Sequence, residues 1–384
     1  MSDQLIFIVD DEPVNCEILE KDLRASGRII ESYFSGKDVL EAMKQKTPDL
    51  ILLDIMMPEM DGFEVCRRIK MNPKFYDIPL IFITALSDIE NKQKGLQLGA
   101  VDYIIKPFDI FEVRLRVKRQ LRMRHLYLQI KRQNEIMREE LMAARKIQIN
   151  LLPENDISLP NGYEFFYEYY SCENLGGDFL DITKLDEDHY MFYITDVSGH
   201  GTASSLITIY VKEFFHKYVY SEELSPAKLL EDLNKSFMSL KFEGRYLTIF
   251  MGILDTKKDI LKWSSGGLNT MPFLVNNDEI QELKNPAFAV GWFDNVKWDD
   301  HVTKFTDDSF LILYSDAAIE VKNSEDEQLG INGLKNIIIE NDMQTFPDLN
   351  IIVNELLDYK EGVSFDDDLT LLCIQKKSVK KMEL

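Results

Sequence analysis

At 384 residues the chain is too long for one ordinary domain, and its 45% apolar residues suffice to build two or three separate cores. The formal net charge of −22 would repel a phosphate backbone over most of the surface. That excludes non-specific nucleic-acid binding and leaves any acidic substrate dependent on metal or local basic help.

The four cysteines, Cys16, Cys66, Cys172 and Cys373, have no paired spacing. They read as packing residues in a reducing compartment, with no zinc site. Met1-Ser-Asp-Gln opens no basic-then-apolar leader, and no apolar run reaches bilayer length. The expectation is a cytoplasmic protein without a secretory signal or membrane segment.

Leu5 to Val9, Leu50 to Leu53, Leu80 to Ile83 and Tyr103 to Ile105 are short apolar runs separated by longer stretches of helical pattern. This alternation predicts a parallel sheet covered by helices. In such sheets chemistry collects beyond the carboxyl ends of the strands. Those ends carry Asp10 and Asp11, then Asp54, Thr84 and Lys106. Asp10 and Asp11 suit a hard Mg²⁺ ion, Asp54 can attack phosphorus, and Thr84 and Lys106 can bind phosphoryl oxygens. Taken singly, each is an ordinary strand-end polar residue.

Taken together, the motifs Val9-Asp10-Asp11-Glu12-Pro13, Leu53-Asp54-Ile-Met56-Met-Pro58-Glu-Met-Asp61-Gly62, Thr84-Ala85 and Lys106-Pro107-Phe108 resemble the receiver domain of bacterial response regulators. The resemblance covers residues 1–120. It implies a doubly wound parallel sheet, Mg²⁺ held by Asp10, Asp11, Asp54 and Met56, and Asp54 as acceptor of a phosphoryl group from a sensor histidine kinase. Thr84 and Tyr103 would be the switch pair.

Residues 121–152 form the connector. Asp109, with Glu112 three residues on, resembles a capping box, and nothing then breaks a helix before Pro153. About 44 residues at 1.5 Å rise make a rod of roughly 65 Å. Such a rod needs a partner helix. A heptad seam runs through Met123, Leu126, Ile130, Met137, Ala144, Ile147 and Leu151, interrupted by Gln133 and Glu140. It predicts a coiled coil and a homodimer. Arg114, Arg116, Lys118, Arg119, Arg122 and Arg124 make the start of the rod basic. Without aromatic or helix-turn-helix companions they read as neutralisers of acidic neighbours, in preference to a DNA-binding face.

In the remaining stretch, 153–384, four carboxylates sit at the edges of apolar runs: Asp178, Asp196, Asp316 and Asp367. The runs Phe179–Thr183 and His189–Thr195 flank Asp186-Glu187-Asp188. A hairpin centred at Glu187 places Asp178 opposite Asp196, with Cβ atoms roughly 5 Å apart. Like charges there repel, which argues for a cation between them. Phe310–Ser315 runs into Asp316, and Asp366-Asp367-Asp368 opens Leu369–Ile374. Antiparallel pairing of these runs would bring Asp316 to Asp367. Leu175-Gly-Gly-Asp178-Phe179 contains the tetrapeptide of cyclic-dinucleotide synthases, but Leu180-Asp181-Ile182 continue a strand where that chemistry needs a turn.

With Thr195-Asp196-Val197-Ser198-Gly199-His200-Gly201, Tyr314-Ser315-Asp316, Asp367-Asp368-Leu369-Thr370 and Ala144-Arg-Lys-Ile-Gln148-Ile-Asn-Leu151-Leu152-Pro153, the chain resembles PPM-type (protein phosphatase 2C-like) serine phosphatases of the sigma-factor-regulating branch. The resemblance implies an α-β-β-α sandwich and two Mn²⁺ or Mg²⁺ ions held by Asp178, Asp196, Asp316, Asp367 and the Val197 carbonyl. It also implies a phosphoserine or phosphothreonine substrate on an anti-sigma factor antagonist. His200 reads either as a proton shuttle or as a supporting residue.

Two departures stand out. Gly267 replaces a frequent histidine, and Ala317 follows Asp316 where glycine is usual. If position 317 requires positive φ, alanine costs about 1 kcal/mol or more and weakens the metal site. On that ground the alternative to a phosphorylation-regulated phosphatase is a catalytically weak adaptor. The expected architecture is therefore multidomain, α/β followed by α+β: a doubly wound receiver, a long coiled-coil helix and an α-β-β-α phosphatase domain.

Overall fold

The computed structural model describes residues 4–85, 89–172, 175–199, 201–218, 225–242, 244–267, 270–276, 279–341, 347–362 and 364–378. The chain divides into two compact units, Met1–Met137 and Arg138–Leu384.

The first unit alternates β1 (Leu5–Val9), α1 (Pro13–Ala25), β2 (Ile29–Tyr33), α2 (Gly36–Ala42), β3 (Leu50–Asp54), α3 (Gly62–Lys70), β4 (Leu80–Ala85), α4 (Ile89–Gln97) and β5 (Asp102–Lys106). The sheet is parallel, in the order β2-β1-β3-β4-β5. Its strands read as unbroken apolar runs because both faces are buried. Ile6, Ile8 and Leu52 face Leu19, Leu23, Val113 and Val117 on one side. Phe7, Val9 and Leu53 face Val39, Val65 and Ile69 on the other. Helix starts follow local chemistry. Pro13 opens α1, the Ser35 hydroxyl accepts from Asp38 N, and the Asp61 carboxylate accepts from Glu64 N. Edge strand β2, Ile-Ile-Glu-Ser-Tyr, carries too little apolar pattern to stand out in the sequence.

α5 (Ile110–Leu151) is 42 residues long, and the Asp109 carboxylate accepts from Phe111 N at 2.7 Å at its start. Val113, Val117 and Leu121 are buried, while the seam residues Met123, Leu126, Ile130, Met137 and Ile147 are exposed in the single chain. The basic cluster serves the receiver: Arg114 pairs with Asp22, Arg116 with Asp102, and Arg124 with Asp77.

The second unit contains β6 (Ile157–Ser158), β7 (Tyr163–Tyr170), β8 (Asp178–Lys184), β9 (His189–Val197), α6 (Thr202–His216), α7 (Pro226–Leu240), β10 (Leu247–Asp255) and β11 (Ile260–Gly266). It continues through β12 (Phe273–Asn276), β13 (Glu279–Glu282), β14 (His301–Lys304), β15 (Ser309–Tyr314), α8 (Ala317–Glu320), α9 (Gly330–Glu340), α10 (Leu349–Lys360) and β16 (Leu369–Lys376). Two antiparallel sheets form, ordered β14-β11-β10-β9-β8 and β13-β12-β15-β16-β7-β6.

Residue alternation divides the core into layers. Leu180, Phe192, Ile194 and Phe250 meet Phe165, Leu313 and Leu372 between the sheets. Tyr193 and Met251 face α6 and α7 through Val211, Phe215 and Leu233. Ile312 and Cys373 face α9 and α10 through Leu334, Ile338, Ile352 and Leu356. This is the expected α-β-β-α sandwich. Trp263 and Trp298 are buried and Trp292 is exposed.

Candidate functional site

In the first unit, β1 and β3 end side by side and deliver Asp10 and Asp54 to one edge of the sheet. Both are buried, and donor atoms of Asp10, Asp11 and Asp54 lie within 4.8 Å of one another. Lys106, at the end of β5, places Nζ 2.8 Å from Asp10 Oδ2 and 3.0 Å from Asp54 Oδ2. The Asp10 carboxylate also accepts from Glu12 N and Asn15 Nδ2. Burial pushes the Asp54 carboxyl up, opposed by its bond to Lys106. Burial pulls the Lys106 ammonium down, and its two acid partners outweigh this and hold it above its usual value.

This set of hard oxygens fits Mg²⁺. Met56 is 71% exposed and turns its backbone N–H toward Asp54. Its soft thioether is a poor Mg²⁺ ligand, so any ligand from this residue is the main-chain oxygen. Thr84 and Tyr103 stand on adjacent strands and line one small cavity with Ile55, Phe82, Leu96, Ala100 and Asp102.

In the second unit the expected hairpin forms in the expected register. β8 pairs with β9 so that Asp178 lies directly opposite Asp196, and the turn closes with Leu185 N donating to His189 O. β15 and β16 also pair antiparallel, with Tyr314 opposite Leu371, and this carries Asp316 and Asp367 to the same end of the sandwich. Asp178, Asp196 and Asp316 line one cleft with Thr195, Thr248, Thr270 and Ser315. A Cβ placed on Gly177 would stand 3.0 Å from the Val197 carbonyl oxygen and 3.2 Å from Asp196 Oδ1. Both oxygens therefore face the space that glycine leaves open.

Like-charge crowding is visible in the acidities. The Asp178 carboxyl is held well above the usual range, first by burial and then by Asp196. Asp196 is pushed up to about 7 by burial and by Asp316, Asp367 and Asp368. Asp316 is raised by burial, Glu320 and Asp367. Asp178 is buried and Asp196 and Asp316 are half-buried, and three carboxylates lining one cleft, with Lys and Arg absent from that lining among the described residues, are a donor set suited to divalent cations.

Several supporting residues had no role in the sequence reading. Thr370 Oγ1 donates to Asp178 Oδ2 at 2.6 Å. Asp368 is buried where Asp367 is exposed, and it accepts from Gly177 N and Cys172 N. The Ser315 hydroxyl donates to Asp368 O and accepts from Thr370 N. Gln148, on α5, donates to Gly176 O at 2.9 Å and accepts from Gly176 N at 3.2 Å, two residues before Asp178. The signal for these was adjacency: Gln148, Ser315, Asp368 and Thr370 all stand inside the motifs that carried the resemblance. Arg245 lay outside them. Its Nη1 donates to Ser198 O and Ser204 Oγ and so braces the loop after Asp196.

Three expectations are corrected or closed. Ala317 begins helix α8, following Asp316 at φ −62° and ψ −28°, and it is not among the positive-φ residues. Alanine is therefore unstrained, and the ground for a weakened site disappears. Gly267 has φ +70°, and a Cβ there would strike the Ala289 Cβ at 2.5 Å, so histidine cannot be accommodated. Cys172 is not a packing residue. It is exposed, and its donor atom lies within 4.8 Å of those of Asp367 and Asp368, because β7 ends beside the start of β16. Cys16, Cys66 and Cys373 are buried as expected. His200 lies outside the described residues.

Among the described residues no helix is long and apolar enough to cross a membrane. Residues 6–118 match the response regulator receiver domain family. Residues 186–377, half of the chain, match the family described as stage II sporulation protein E (SpoIIE). Among curated proteins, a probable cyclic di-GMP phosphodiesterase of Vibrio cholerae is 44% identical over 137 residues, covering 36% of this chain and 29% of that protein. The DNA-binding dual master transcriptional regulator RpaA of Synechocystis is 36% identical over 134 residues, covering 35% and 56%. The chain thus spans less than two thirds of the length of these relatives. The SiaA-PP2C domain of Pseudomonas aeruginosa shares the fold, with 20% identity, a TM-score of 0.55, and coverage of 63% of this chain and 98% of that one. The chain belongs to the SpoIIE family of PPM-type phosphatase domains and joins such a domain to a response regulator receiver domain.

Proposed function

We propose that the chain is a metal-dependent protein serine/threonine phosphatase controlled by phosphorylation of Asp54. The observation that carries this reading is the register pairing of Asp178 with Asp196 in a cleft that also contains Asp316. Asp178, Asp196, Asp316, Asp367 and the Val197 carbonyl would hold two Mn²⁺ or Mg²⁺ ions. When bound, such a pair lowers the pKa of water and neutralises charge building on phosphoryl oxygens. The four carboxylates balance the formal charge of two divalent ions, so the acids can crowd without unfolding the domain. Thr370 fixes the Asp178 carboxylate, Asp368 holds the Gly177 amide, and Arg245 braces the loop beyond Val197. Hydrolysis in the phosphatase domain needs no covalent phosphoenzyme.

In the receiver, Asp10, Asp11, Asp54 and Met56 would hold Mg²⁺, and the Asp54 carboxylate would attack the phosphorus of a phosphohistidine on a sensor kinase. Lys106 is placed to pair with the arriving oxygens, and Thr84 and Tyr103 to report them. The functional division we assign is receiver 1–120, helical linker 121–152 and phosphatase 153–384. Linker helices would pair in a homodimer, and the protein would act in the cytoplasm.

Gln148 supports a route for control. A shift or fraying of the last turns of α5 changes what holds Gly176, two residues from Asp178. The substrate class is a phosphoserine or phosphothreonine protein such as an anti-sigma factor antagonist. The adaptor reading lost its support when Ala317 proved helical.

The test is turnover of p-nitrophenyl phosphate by the purified full chain with Mn²⁺, with and without acetyl phosphate as phosphodonor. Metal-dependent turnover that changes on phosphorylation supports the proposal. Absence of turnover in both states overturns it.

A further inference from the structure

Beside the acidic cleft the second unit holds a group of aromatic rings out into solvent. Trp292 is 51% exposed, Phe293 53% and Phe288 54%. The Tyr246 and Trp292 ring centroids are 5.0 Å apart, Trp292 and Phe293 6.2 Å, and Phe288 and Phe293 5.1 Å. Burying rings of this size is a main source of binding energy at protein interfaces, and exposing several together costs free energy unless something covers them.

The exposure is built, not frayed. Val290 bridges to Leu247 at the start of β10 through two backbone hydrogen bonds. The buried Asn234 of α7 accepts from Gly291 N at 2.7 Å and donates to Phe293 O at 3.0 Å. The segment is thus clamped on both sides of Trp292. Its partner ring, Tyr246, belongs to the strand end that faces the loop after Asp196: Ser198 N donates to Tyr246 O at 2.9 Å, and Tyr246 N donates to the Ser198 hydroxyl at 2.9 Å. Two residues further along, Thr248 is the register partner of Asp196 and lines the cleft. The aromatic surface is therefore continuous with the site.

We propose that Tyr246, Phe288, Trp292 and Phe293 form the docking surface for the phosphoprotein substrate, a protein with an apolar patch flanking its phosphorylated serine or threonine. The inference rests on the phosphatase reading and specifies its substrate. Charge favours an apolar partner surface. A chain of net charge −22 gives an anionic phosphoprotein no long-range attraction, which leaves the metal site and apolar burial as the sources of contact energy. With a phosphoryl group in the acid-lined cleft, the protein that bears it lies over the adjoining surface, where the rings stand.

The test uses the full chain, p-nitrophenyl phosphate, and two synthetic phosphoserine peptides, one flanked by Leu, Val and Phe and the other by Gly and Ser. Wild type is expected to favour the apolar peptide by about tenfold or more in kcat/KM. Trp292→Ala and Phe293→Ala should each remove most of that preference while changing p-nitrophenyl phosphate turnover by less than about twofold, since truncated hot-spot residues act on partner binding. Equal losses on peptide and aryl phosphate would assign the rings a structural role and overturn the proposal. So would an unchanged preference, or a loss of self-association in the variants, which would make a second copy of the chain the occupant.

A second readout is independent of turnover. Trp292 is the exposed tryptophan, so iodide quenching reports on it, and saturating apolar peptide should protect it. Protection without aryl phosphate turnover would fail the phosphatase reading and keep the docking surface. Turnover without protection would do the reverse.

Discussion

Asp178 and Asp196 are register partners on adjacent antiparallel strands, and Thr370 Oγ1 donates a hydrogen bond to the Asp178 carboxylate. Two acids so placed oppose folding unless protons or cations intervene. Asp196→Asn should abolish Mn²⁺-dependent turnover, by about 100-fold or more. It should also raise the metal-free stability of the second unit by up to about 1 kcal/mol. Urea denaturation in chelator measures the second effect, and a destabilised variant would contradict the repulsion argument.

Acidity sets the pH dependence. The Asp196 carboxyl is raised to about 7 in the folded chain, above its unfolded value near 4, so the folded state binds more protons between those limits. Metal-free stability should therefore fall as pH rises from about 4 to 7. Mn²⁺ should restore it increasingly over the same range, because metal competes with the protons. Melting temperatures in chelator and in Mn²⁺ across that range check both slopes.

Asp54 and Lys106 are joined at 3.0 Å in the receiver. Asp54→Ala should leave basal metal-dependent hydrolysis intact and remove the response to acetyl phosphate. Equal stimulation of wild type and variant would break the proposed link between the two sites.

Gln148 is bonded to both backbone groups of Gly176. Gln148→Leu leaves the Gly176 amide without its acceptor in a buried setting, at a cost of about 1–3 kcal/mol, while the Gly176 carbonyl keeps the Ser205 hydroxyl. It should lower Mn²⁺ affinity, read as a higher metal concentration for half-maximal turnover. A variant that loses stability with unchanged metal dependence would confine Gln148 to packing.

Ala317 lies in α8 and is buried. Ala317→Gly, which introduces the residue more usual in the family, should destabilise by about 0.5–1 kcal/mol through the entropy of glycine in a helix. It should not tighten metal binding. Improved manganese activation in this variant would contradict the helical assignment.

The sequence by itself determined whatever depends on near neighbours. A period of two and a short acidic turn sufficed to place Asp178 opposite Asp196, and apolar runs ending in acids located Asp10 and Asp54 at one sheet edge. Capping chemistry at Asp109 and the absence of a breaker before Pro153 predicted α5 almost to its ends. Only the tertiary structure decided the rest. Thr370 reaches Asp178 across 192 residues of chain, and Asp368, not Asp367, turns inward to hold Gly177. Cys172 meets those acids because β7 pairs with β16, and Ala317 is helical because the chain turns at the end of β15. Pairings of this kind are fixed when distant strands close onto a shared core, and local propensity carries no record of which strand the partner will be.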